Sequence, residues 1–214
     1  MEWIIVFVVE LTGLFFLSQV LTRNLSSFFY RVSKNKNVTI QLLSFLFLPG
    51  VIVHELAHLV VASVLFVPVG EIEFTPKLQE GGGVKLGSVA IAKTDPVRRA
   101  IIGFAPVLAG LLIIFTTFYY NPPIFLICYI LFEVGNTMFS SEKDMEGALE
   151  LLLTAIVVVV LLYVIGVRID FSIFRGFFSS DITTFIKKAD LFLSIPIGID
   201  VGIIATLKLK DGRW

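Results

Sequence analysis

The 214 residues carry 17 basic and 17 acidic side chains, so the formal charge is zero, and 57% of them are hydrophobic, with 21 Phe and a mean hydropathy of +0.93. This balance excludes an ordinary soluble domain and offers no basic surface for nucleic acid; it describes an integral, multi-pass protein whose first partner is the lipid bilayer. The single Cys128 excludes an intrachain disulfide.

In chain order, Trp3 to Leu21 is long enough to cross a hydrocarbon layer of roughly 30 Å and is followed by no small-residue cleavage pattern. It predicts a retained transmembrane helix, and Glu10 within it predicts a polar contact with another helix. A polar, basic stretch from Thr22 to Asn37 then leads into a helix over about Gln41 to Val67. Pro49-Gly50 interrupts this helix and predicts a kink or a new start, because Pro has no N–H to give to the preceding turn.

One turn later stands His54-Glu55-Leu56-Ala57-His58, which uses both histidines of the chain. Residues four apart share a helix face, so two imidazoles can converge on one divalent ion while Glu55, about 100° round, reaches a water there. Ionisable groups near a bilayer centre cost about 2.5–3.5 kcal/mol even on lenient scales, so their presence predicts a function. HExxH in this setting predicts one Zn²⁺ per chain and a hydrolytic chemistry.

From Pro68 to Thr94 the period changes to alternation, around Gly81-Gly82-Gly83. This predicts a small β-hairpin or sheet inserted after the HExxH helix, with the glycines at or near its turn. Its strand edges could hold an extended peptide. The chain re-enters the membrane over Ala100 to Tyr119, turns at Asn121-Pro122-Pro123, and continues from Ile124 to about Phe139. A polar break at 140–144 precedes the apolar run Met145 to Val167; an amphiphilic segment follows, and Leu191 to Leu207 is a possible last span. The fold class expected is thus a polytopic α-helical membrane protein of about five to six transmembrane helices with the β insertion. With six spans, eight basic residues collect on one side, among them Arg23, Lys36, Lys187 and Lys188, and nine on the other, so charge does not orient the chain.

A catalytic zinc takes three protein ligands and keeps one position for water. With no third His and one Cys in an apolar run, the third ligand is expected to be a carboxylate: Asp144, Glu133, Glu146, Glu150, Glu10 or Asp200. Asp144 stands out because it lies where an apolar helix breaks and restarts. An unwound segment there can aim a short carboxylate inward while Asn136 points an amide into the same cavity.

These residues resemble the site-2 protease family of intramembrane zinc metalloproteases: an HExxH transmembrane helix, a β-rich loop, a Pro-bearing helix, then Asn136 eight residues ahead of Asp144. The family core is three transmembrane helices, the first with HExxH and the third with Asn-x-x-Pro running into an Asp-Gly pair. The resemblance covers about Gly50 to Gly166. It implies His54, His58 and Asp144 as metal ligands, Glu55 as general base and Asn136 as a substrate-contacting or structural residue. Phe139 stands in place of the family's Pro, Gly147 follows Asp144 by three residues, and Gly103 to Gly110 matches the family's Gly-Pro motif loosely.

The expectation is therefore one membrane domain over 1–214: an N-terminal helix and polar loop (1–40), a metalloprotease core (41–167, with the insertion at about 68–94) and a C-terminal amphiphilic segment (168–214). Its activity would be hydrolysis of peptide bonds in a membrane-protein or peptide substrate by zinc-activated water, with Glu55 moving the proton. One alternative is a non-catalytic membrane metalloprotein that binds partner transmembrane helices. Another is a zinc hydrolase of the prenyl-protein protease type, with Glu146 or Glu150 as third ligand.

Overall fold

A computed structural model describes residues 2–74, 77–78, 84–120, 122–139, 150, 153–154, 156–158, 160–166 and 180–211. In it the first apolar run becomes α1 (Glu2–Ser33), which continues well past the predicted span. The polar stretch expected to connect the first two helices is helical because its side chains close onto their own backbone: Thr22, Asn24 and Ser27 donate to carbonyls one turn back at 2.7–2.9 Å. The connection shrinks to Lys34 and Asn35. Lys34 takes the left-handed conformation (φ 52°) and gives its N–H to Tyr30 at 2.7 Å, which ends α1. Asn35 then caps α2 (Lys36–Val64), its side chain accepting the Asn37 N–H at 2.9 Å.

α2 runs through Pro49-Gly50 as one helix, so no new helix starts there. The next residue is tied to a neighbouring helix: the Gly50 N–H donates to the Glu133 carboxylate of α4 (Ile124–Thr137) at 3.2 Å. Gly50 is also the point where the two helices meet. A Cβ there would stand 2.8 Å from the Glu133 carbonyl oxygen and against the Thr137 side chain, so only glycine admits the approach.

After α2 the alternating segment forms nested antiparallel ladders. β1 (Val69–Glu73) pairs with β4 (Ser88–Ile91), and inside them β2 (Lys77–Leu78) pairs with β3 (Val84–Lys85). Gly81 to Gly83 lie outside the described residues. α3 (Pro96–Tyr120) starts under Asp95, whose carboxylate accepts the Arg98 N–H at 3.0 Å; that bond holds Asp95 below the usual carboxylate range.

The last helix, α5 (Ser180–Asp211), lies along α1 in the same direction. Lys187 stands over the Trp3 ring at 4.9 Å, Leu14 and Leu193 share one core cluster, and Leu21 and Ile204 share the next. Parallel pairing corrects the charge assignment drawn from alternating spans. Lys187 lies at the end where α1 begins and the strands sit, not with Arg31 and Lys34, while Lys208 lies near the α1–α2 link. α1, α2, α3 and α5 each contain a run long and apolar enough to cross a bilayer, and α4 is a shorter apolar helix. The chain is a helical membrane protein.

Two substitutions separate close approach from mere glycine content. Gly50→Ala should cost about 1–3 kcal/mol through the clash with α4, whereas Gly202→Ala, with nothing within 4 Å of the new Cβ, should be neutral or slightly stabilising. Unfolding midpoints in detergent measure both, and equal effects would contradict the described α2–α4 contact.

Candidate metal centre

His54 and His58 lie on one face of α2, about ten and six residues before its end. Their ring centroids are 4.8 Å apart and the planes stand at 79°. Each ring is fixed by a backbone carbonyl of a different helix: His54 Nδ1 is 2.6 Å from the Thr137 oxygen of α4, and His58 Nδ1 is 2.8 Å from the Ile102 oxygen of α3. A carbonyl oxygen only accepts, so the Nδ1 atom of each ring carries the proton. In the neutral imidazole, Nε2 is then an acceptor.

The two Nε2 atoms are 3.2 Å apart. With both protons placed on Nδ1, this contact brings lone pair to lone pair, an arrangement relieved by a cation that both nitrogens share. Two nitrogens on a tetrahedral divalent ion at about 2.0–2.1 Å stand about 3.3–3.4 Å from each other, close to the separation seen here. A histidine ligand that donates its other ring N–H to a backbone carbonyl is the usual way a protein orients such a ligand. The pair therefore has the spacing, the tautomers and the outer hydrogen bonds of two ligands to one metal ion.

Glu55 is buried between α2 and the β insertion. Gly87, in the link from β3 to β4, lies directly over it: a Cβ on Gly87 would be 3.0 Å from Glu55 Oε1 and 3.1 Å from Cγ. Leu86 anchors that link by joining the cluster of Leu43, Phe47 and Val51. Sequence reasoning placed strands after the HExxH helix; that their connecting glycine covers Glu55 has no signature in the pattern.

Of the expected third ligands, Asp144 and Glu146 lie outside the described residues. Glu150 is exposed and pairs with Arg99 at 3.4 Å. Glu133 is 2% exposed and accepts from Gly50. Glu10 lies near a like-charged side chain on α5, Asp190, and its Oε2 is buried with no hydrogen-bond partner among the described residues. Among the described residues, no three His, Cys, Asp or Glu side chains gather as a metal site.

Asn136 is placed on α4 beside the pair's support, one residue before Thr137. Its amide nitrogen donates to Asp200 Oδ1 at 2.8 Å and to the Phe132 oxygen at 2.9 Å. Asp200, fully buried, thus ties the last turn of α4 to α5. The Asn136 oxygen, buried, has no hydrogen-bond partner among the described residues. Asp200 entered the sequence reading only as a possible ligand; its partner was not legible from spacing.

Asp200→Asn keeps an oxygen for the Asn136 amide and should leave stability near wild type, while Asp200→Leu should lose about 1–3 kcal/mol. Equal unfolding midpoints for the two variants in detergent would show that this hydrogen bond carries no weight.

Compared with known proteins, the chain matches no protein-family model, no curated protein and no solved structure.

Proposed function

We propose that the protein is an intramembrane zinc metalloprotease of the site-2 type, acting on peptide bonds of membrane-embedded protein or peptide substrates. The observation that carries the reading is the meeting of two Nε2 acceptors at 3.2 Å with a buried glutamate next in the helix. A packing role for two histidines does not require their lone pairs to converge.

In this reading His54 and His58 hold one Zn²⁺, and Asp144, carried over from the family resemblance, completes the protein ligands. Asp144 follows Thr137 by seven residues, and seven residues can span up to about 24 Å, so chain length places no obstacle. Zinc, when bound, supplies Lewis acidity toward a carbonyl oxygen and makes water more acidic. Glu55 takes the water proton on its carboxylate and returns it to the leaving amide nitrogen, so the base is regenerated with each bond broken. Burial beneath Gly87 keeps that carboxylate near the reacting atoms and away from bulk solvent.

Asn136 is the substrate contact of this reading. With its amide nitrogen committed to Asp200 and Phe132, the group it offers a substrate is its oxygen, an acceptor suited to a backbone N–H of an unwound segment. The outer edges of the two-stranded β1–β4 ladder would hold such a segment extended. For the membrane topology we read α1, α2, α3 and α5 as crossings among the described residues. Because α5 runs parallel to α1, an even number of crossings separates their starts.

Detergent-purified protein should carry about one zinc per chain, retained in Glu55→Gln and lost in His54→Ala and His58→Ala. Cleavage of reconstituted transmembrane peptides should fall by about 10²–10⁴-fold in Glu55→Gln. Wild-type protein that takes up no zinc after reconstitution, or full turnover in Glu55→Gln, would refute the reading.

A further inference from the structure

The carbonyls that hold the two histidines are available for different reasons. Thr137 is the last residue of α4, and the final carbonyls of a helix have no N–H from a following turn. Ile102 is different, because it lies well inside α3, where each carbonyl ordinarily receives the N–H of the residue four further on. That residue is Pro106, which has none. The Ile102 oxygen is thereby freed from the helix ladder, and the His58 Nδ1–H takes it at 2.8 Å.

We infer that Pro106 is a positioning residue for the metal centre: by withholding an N–H from the Ile102 carbonyl, it reserves that acceptor for His58 and so fixes which ring nitrogen faces His54. The inference rests on reading the histidine pair as a metal site. Pro106 touches no metal or substrate in this account and acts only through Ile102 and His58. Its ring is fully buried, so removing it also removes contact area, and a test must separate that loss from the return of the N–H. Pro196 supplies the comparison. It is an equally buried proline inside α5 whose ring meets Gly135, and the residue four before it is Phe192, on another helix from Ile102.

In Pro106→Ala the restored N–H competes with His58 for Ile102. An imidazole that loses its Nδ1 partner is no longer held in one tautomer, and outer-sphere losses of this kind typically weaken metal binding by about 10–100-fold. The experiment is titration of the metal-free, detergent-purified full chain with Zn²⁺ and with Co²⁺. The cobalt absorption bands and the ¹⁵N shifts of the His58 ring are recorded alongside. Pro106→Ala should bind about 10–100-fold more weakly than wild type, with altered cobalt bands and a His58 Nδ1 signal moved toward the unprotonated form. The ester analogue of the same variant, with an α-hydroxy acid at 106, again lacks the N–H and should return to near wild-type affinity. Pro196→Ala should lose thermal stability with unchanged affinity.

Wild-type affinity in Pro106→Ala would overturn the inference while leaving the metal site standing. Equal weakening in Pro106→Ala and its ester analogue would also overturn it, since the effect would then be lost contact area. Absence of metal binding by the wild type would overturn both this inference and the metal-site reading beneath it.

Discussion

Two hydrogen bonds from imidazole nitrogens to backbone carbonyls organise this protein. Because Thr137 and Ile102 can only accept, they fix both protons on Nδ1 and leave Nε2 facing Nε2 at 3.2 Å. Each carbonyl belongs to a different helix, so the pair exists only when α3 and α4 are both seated against α2. Gly50 permits the α4 contact at close range, and Pro106 leaves the α3 acceptor open. The site and the helix arrangement are therefore one construction.

The same rule governs the other polar groups held within the bundle. In hydrocarbon an unsatisfied polar atom costs several kcal/mol, which favours partners inside the protein. Side-chain hydroxyls on α1 and α3 return to carbonyls of their own helix. The longer-range pairs do more: Gly50 with Glu133 joins α2 to α4, and Asn136 with Asp200 joins α4 to α5. Successive turns of α4 thus face α2 through Glu133 and Thr137 and α5 through Asn136. The short fourth helix is the hub through which the helix carrying the histidine pair and the last helix are held in register.

The β insertion packs on α2 and α3 through Val69 and Ile91 and reaches Glu55 through one link. Its ladder is small and its strands are short, but the Leu86-Gly87 link returns to α2 and closes over Glu55. A carboxylate beside two histidines is thereby buried against the Leu86-Gly87 link. Chain entering the membrane region as extended backbone is tolerated where it is buried against protein, as Gly87 is against Val51 and Glu55.

Composition and apolar run lengths determined that this is a helical membrane protein, and periodicity determined where the strands fall, because both depend on local spacing alone. Residue type and spacing also brought forward His54, Glu55 and His58, since four residues on a helix make one face. The sequence misjudged Thr22 to Asn37, where polar side chains satisfy themselves within a helix, and at Pro49-Gly50 a single helix runs on where a new start was one of two expectations. It did not yield the tautomers, the cover over Glu55, the Asn136–Asp200 pair or the parallel pairing of α5 with α1. Those depend on which backbone atoms of distant helices come within hydrogen-bond distance, and a main-chain carbonyl leaves no mark on the residue that carries it. Pro106 is the partial exception: a proline announces that the carbonyl four residues earlier is free, but only the tertiary structure decided that His58 would take it.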